Sequence, residues 1–151
     1  MPVIQSLRDI AGGIEMKFDV ALRIYGKKLI PEEITHDLNL TPDLQHKNGD
    51  SQEIYSKKGK LITVVNYHEG MWSKKIEAIS NENFQDVLWR TLKILVSYKD
   101  KFLEYKTKRY KIDLFCGVWY DERENQIIID KNLLKQLDEI NVKVEMDEYR
   151  V

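Results

Sequence analysis

Between Lys17 and Tyr25 the chain alternates with hardly a break: Phe18, Val20, Leu22 and Ile24 are set between Lys17, Asp19 and Arg23. Side chains of a β-strand point to opposite faces with a period of two, so this run predicts a strand with one apolar and one charged face. An apolar strand face has to be covered by a second layer of structure. The cover that the sequence offers is helical. From Asn83 to about Tyr105, Phe84, Val87, Leu88, Thr91, Leu92, Leu95, Tyr98 and Phe102 recur at three- and four-residue intervals, which makes one broad helical face. Asn83 with Asp86 three residues on resembles a capping pair. Arg90, Lys93, Lys99, Lys101 and Lys108 fall on the other side and read as a solvated face.

The remaining elements follow from local signals. Gly26 ends the first strand, and Pro31-Glu32-Glu33 has the form of a helix start, with Ile34 and Leu38 facing inward. Thr41-Pro42 stops that helix and opens a polar loop through His46, Lys47, Asn48, Gly49 and Asp50. Runs at Gln52–Ser56 and Leu61–Tyr67, joined by Lys57-Lys58-Gly59-Lys60, predict a hairpin. The stretch from Tyr67 to Ser80 has no clear period and is compatible with strand or loop. A strand from Tyr110 to Tyr120, a turn at Asp121 to Asn125, a β-rich run at Gln126 to Ile129, a helix capped by Asp130 and a last strand from Val142 to Tyr149 complete the chain.

This order predicts an α+β fold: a mostly antiparallel sheet with helices on one face, ferredoxin-like with a C-terminal extension. The 151 residues divide into an N-terminal arm, 1–15, with a Gly12-Gly13 pair, and a single α+β domain, 16–151. No repeat or linker splits the domain.

Composition narrows the function. Apolar residues are 42% and charged residues 32% of the chain, which is ordinary globular usage. With 24 Lys and Arg against 25 Asp and Glu, the net charge of -1 offers no field for nucleic acid or an anionic membrane. It equally lacks the acidity of a protein that masks a basic nuclease. Cys116 is the one cysteine, so no internal disulfide forms, and a reducing, cytoplasmic setting is expected. Arg8, Asp9 and Glu15 interrupt the first sixteen residues, and no stretch reaches the roughly 18 apolar residues of a membrane span.

Catalytic and metal-binding signatures are missing. His36, His46, His68 and Cys116 have no metal-ligand spacing, and neither a nucleophile elbow nor a phosphate-binding glycine loop occurs, so no cofactor or metal is expected. Cys116 alternates with Ile112, Leu114 and Val118 and reads as buried and inert. Acid pairs at Glu32-Glu33 and Glu122/Glu124 sit where a helix start and a turn want them. What remains is the set Asn66, Tyr67, His68 and Trp72 after the hairpin, which with Gly49-Asp50 could line a cleft. The candidate binding residues are therefore Asp50, Asn66, His68 and Trp72.

The stretches Phe18-Asp19-Val20-Ala21-Leu22-Arg23-Ile24-Tyr25-Gly26, Pro31-Glu32-Glu33-Ile34-Thr35, Leu38-Asn39-Leu40-Thr41-Pro42 and Lys47-Asn48-Gly49-Asp50, with Trp72 beyond them, together resemble the bacterial domain-of-unknown-function family 4279 over about Met16 to Tyr149. The resemblance implies a small bacterial protein and supplies no reaction, cofactor or catalytic residue. By analogy with other small α+β families, it is compatible with an immunity-type protein beside a secreted toxin. The expectation is thus a non-catalytic protein-binding module, docking a protein through its sheet face, its hairpin edge or the aromatics Trp72, Trp119 and Tyr120. The alternative is a small-ligand-binding protein or enzyme with its cleft near Asp50, Asn66, His68 and Trp72.

Overall fold

The computed structural model describes residues 17–120 and 128–150, the side chains of 120 and 150 excepted. The expected arm, the turn at Asp121 to Asn125 and the first half of the run at Gln126 to Ile129 lie outside the described residues. Ile128 and Ile129 are described and are not in a strand.

Strand β1 (Lys17–Gly26) forms where the alternation is strongest, and it is the middle of a five-stranded sheet. Helix α1 (Pro31–Leu38) begins on Pro31, whose missing N–H costs nothing at a helix start. It ends on Asn39, which takes the left-handed conformation (φ 55°) and donates its N–H to the Thr35 carbonyl at 2.8 Å. A short strand β2 (Leu44–His46) follows within what the sequence presents as a polar loop. Three residues carry too little period to announce a strand; pairing with a distant segment makes this one.

Next come β3 (Ser51–Tyr55) and β4 (Leu61–Asn66), the expected hairpin, and β5 (Gly70–Ile76), which makes the middle of the ambiguous stretch a strand and leaves its two ends as loop. The long helical face is divided into α2 (Phe84–Leu95), a 3-10 turn at Val96–Tyr98 and α3 (Lys99–Thr107). At that break the Ser97 hydroxyl donates back to the Ile94 carbonyl at 2.7 Å, offering this turn of backbone an alternative partner. The expected capping box closes the start of α2, with Asn83 and Asp86 each bonded to the other's backbone N–H. Strand β6 (Lys111–Tyr120), helix α4 (Lys131–Glu139) and strand β7 (Lys143–Arg150) finish the chain, and Asp130 caps α4 by accepting from the Asn132 N–H at 2.7 Å.

The sheet runs β2-β5-β1-β6-β7. All neighbours are antiparallel except β6 and β7, which are parallel and joined through α4. The fold is therefore α+β with a mostly antiparallel sheet. The hairpin β3–β4 makes a separate two-stranded sheet. Val20, Leu22 and Ile24 of β1, Trp72 of β5 and Ile112, Leu114, Cys116 and Val118 of β6 are buried in one cluster with Ile34 and Leu38 of α1, Leu88, Leu92 and Leu95 of α2, Phe102 and Tyr105 of α3 and Leu133 and Leu137 of α4. The even-numbered β1 face is thus the covered one, as its alternation requires. Among the described residues no helix is long and apolar enough to cross a membrane.

Candidate functional site

The opposite face of the sheet is where unusual chemistry gathers. Register places the odd-numbered residues of β1 and β6 there, in rows that cross the strands. One row runs His46, Met71, Tyr25, Lys111; the next runs Leu44, Ser73, Arg23, Asp113, Lys143.

At the centre, Arg23 donates through Nε to Asp113 Oδ1 and through an Nη to Oδ2, both at 2.8 Å. The Tyr25 hydroxyl donates to the same Oδ2 at 3.2 Å. Asp113 is only 2% exposed, so its charge is tolerable there because the guanidinium meets it with the paired geometry that suits a carboxylate. The hydrogen bond to Asp113, outweighing burial, raises the Arg23 pKa further, while burial first, and then the neighbouring Asp113 charge, push Tyr25 up to about 12. The guanidinium also lies 4.2 Å from the centre of the Phe115 ring, a cation–π arrangement that fixes its second side.

Several hollows border this centre; one, about 240 Å³, is lined by Tyr25, Lys111, Asp113, Lys143 and Glu145, and two more lie on its other sides. The first of these two, about 300 Å³, is lined by Arg23, Tyr25, His46, Tyr67, Glu69 and Met71. Its outer wall is the His46 ring stacked on Tyr67 at 3.6 Å, and the Tyr67 hydroxyl donates to Gln52 Oε1 at 2.6 Å. His46 Nδ1 is buried and has no hydrogen-bond partner among the described residues. The second hollow, about 280 Å³, has Ala21, Ser73 and Gly117 among its lining, with Phe115, Trp119, Leu44 and Lys75 around them. Trp119 stacks on Tyr149 at 4.9 Å, and a Cβ on Gly117 would come 3.3 Å from the Trp119 ring.

Of the four residues singled out in the sequence, Asp50, Asn66 and His68 lie near one another at the base of the hairpin, but Trp72 does not join them. There Ser51 pairs with Asn66, and the Tyr67 N–H donates to the Asp50 carbonyl at 2.9 Å. Trp72 is fully buried on the helix-covered face, where its Nε1 donates to the Thr35 hydroxyl of α1 at 3.0 Å. Its expected exposure to a partner is corrected: Trp72 pairs with Ile24 in register and shares that residue's core face. Asp50 is exposed and accepts the Lys47 N–H at 2.8 Å as a turn residue. Asn66 ends β4 and His68 is exposed in the connection to β5. Of the expected exposed aromatics, Trp119 is half-buried in its stack, and the Tyr120 side chain lies outside the described residues. The residues that do line the first hollow are Tyr67, Glu69 and Met71, one place away from His68 and Trp72. With a period of two, one place is the difference between the two faces.

Cys116 is buried as expected, and desolvation pushes its thiol up to about 12, far from a working nucleophile. Among the described residues, no group of three His, Cys, Asp or Glu side chains is placed to hold a metal ion. Residue type alone could have flagged Arg23 and Asp113 as charges inside apolar strands, but nothing in the sequence says that they meet.

No curated protein and no solved structure matches this chain. A family model does, over residues 15–151, which is nearly the whole length and agrees with the resemblance carried by the β1 and α1 motifs. The chain belongs to the family described as domain of unknown function DUF4279.

Proposed function

We propose that this protein is a non-catalytic protein-binding module whose β3–β4 hairpin is the docking arm. The observation that carries the reading is the exposure of that arm: Ile54, Tyr55, Leu61, Ile62 and Val64 are between 37% and 64% exposed. A two-stranded ribbon is at best marginally stable alone, and its outer edges present unpaired backbone donors and acceptors. A strand of a partner added to such an edge takes up those groups while the exposed apolar side chains are buried.

Within that reading, an immunity-type role, in which the partner is a toxin, is the narrower version. The net charge of -1 favours a partner that is not strongly basic. Residues 16–151 are read as one domain and 1–15 as an arm, supported by a family match that begins at residue 15. The sheet is read as ferredoxin-like: the order β2-β5-β1-β6 is antiparallel throughout, with helices linking β1 to β2 and β5 to β6. The hairpin is then an insertion before β5, and α4 with β7 is the C-terminal extension. A cytoplasmic location is supported by a buried, unpaired Cys116.

The test is a photo-crosslinking side chain placed at Ile62, compared with one at Lys135 on the exposed side of α4. The expected result is a protein adduct from Ile62 only, lost when Leu61→Asp/Val64→Asp is added to the chain that carries the crosslinker at Ile62, while the melting temperature is kept. Adducts from both positions alike, or adducts only to a second copy of this chain, refute docking of a different protein through the hairpin.

A further inference from the structure

We propose that the cleft between Tyr25 and the His46–Tyr67 stack is a binding site for an organic cation, an ammonium or guanidinium group, with the Glu69 carboxylate as its counter-charge. Glu69 lines this cleft and is half-buried, yet among the described residues its carboxylate takes part in no hydrogen bond or ion pair. A carboxylate with no partner on the protein leaves its charge open to a cation that enters beside it.

The rest of the lining is acceptor-rich. The Tyr25 and Tyr67 hydroxyls spend their protons on Asp113 and Gln52 and leave lone pairs free. His46 Nδ1, buried and unpartnered, adds a further acceptor in its Nε2–H tautomer. Tyr25 and the stacked pair of His46 and Tyr67 line the space together with Met71, so aromatic surface adjoins the place where the cation would sit.

Among the described residues, the one cation in the lining is already neutralised. Arg23 is held by both oxygens of Asp113 and packed on Phe115, so its charge faces an equal and opposite one. Glu145 adds negative potential at Arg23 and Tyr25, raising the pKa of both. Lys111, the cross-strand neighbour of Tyr25 on β6, is separated from the cleft by the Tyr25 strand, because Met71 lies on the other side of it. The site goes beyond docking by the hairpin and does not depend on it. The same chemistry is supplied by a free alkylamine or by a lysine or arginine side chain of a bound protein.

The experiment is titration calorimetry of the full chain at low salt with three probes: agmatine, a blocked tripeptide with a central arginine, and the same tripeptide with neutral citrulline. The expected result is binding of at least one cationic probe and no binding of the citrulline peptide. Glu69→Gln should weaken the cation about tenfold or more, while Glu33→Gln, an equal charge loss on remote α1, leaves it unchanged. Tyr67→Leu, which removes the aromatic wall and keeps the carboxylate, should also weaken it. A tripeptide that binds tighter than agmatine assigns the cation to a protein side chain; equal affinities assign it to a small amine. Silence with both cationic probes, equal binding of citrulline, or equal losses in Glu69→Gln and Glu33→Gln overturns the proposal.

Discussion

Replacing Trp72 by alanine separates a packing residue from a binding anchor, and the structure sets the size of the effect. Trp72 is among the largest fully buried side chains and stands in register with Ile24 in the middle of the sheet. Truncating a buried aromatic to alanine costs about 3–5 kcal/mol, because apolar contact is lost and a cavity remains. The Thr35 hydroxyl loses a hydrogen bond as well, which is part of that figure and is worth about 1 kcal/mol by itself. For a chain of this length, each kcal/mol corresponds to about 2–4 °C in melting temperature, so the expected drop is about 6–20 °C. Trp72→Phe keeps most of the volume and should lose only about 1–2 kcal/mol. A double-mutant cycle of Trp72→Phe with Thr35→Val isolates the hydrogen bond. The assays are thermal melts and urea unfolding with the slope checked for constancy. A Trp72→Ala protein that melts within about 2 °C of wild type refutes the burial argument and returns Trp72 to the surface.

Two further outcomes follow from the same geometry. Gly70→Ala should destabilise by about 1–3 kcal/mol or prevent folding, since the added Cβ would stand 2.1 Å from the Leu29 carbonyl oxygen; urea unfolding beside Gly49→Ala, where the Cβ meets nothing within 4 Å and only a positive φ is strained, gives the comparison. Stability should hold from neutral pH to about 9 and fall as pH rises from there to about 12, because Cys116 and Tyr25 are both raised to about 12 in the folded protein from unfolded values of 9.0 and 10.0, and the unfolded chain ionises first. Urea midpoints across that range measure it, and Cys116→Ala should delay the onset; a midpoint that stays flat to pH 12 contradicts both shifts.

Local signals in the chain were enough to place β1 by its alternation, α1 by Pro31, the start of α2 by Asn83 and Asp86, and α4 by Asp130, because each depends on residues within a few places of one another. The inward faces of β1 and α2 were legible for the same reason: a period of two or of 3.6 is written directly in the order of residues. The tertiary structure decided what depends on distant partners. Leu44–His46 is a strand only because β5 lies beside it, and the Arg23–Asp113 pair joins positions 90 residues apart. Around Trp72, aromatic and charged residues sit next to one another without a clean alternation, so composition could not say which parity faces the helices. Gly70, whose missing side chain lets β5 approach Leu29, settles it: Trp72 goes to the core, and Glu69 and Met71 line the open-face cleft. The sequence brought attention to the right stretch, but the face of a strand is a property of the sheet it joins, and pairing in that sheet is long-range.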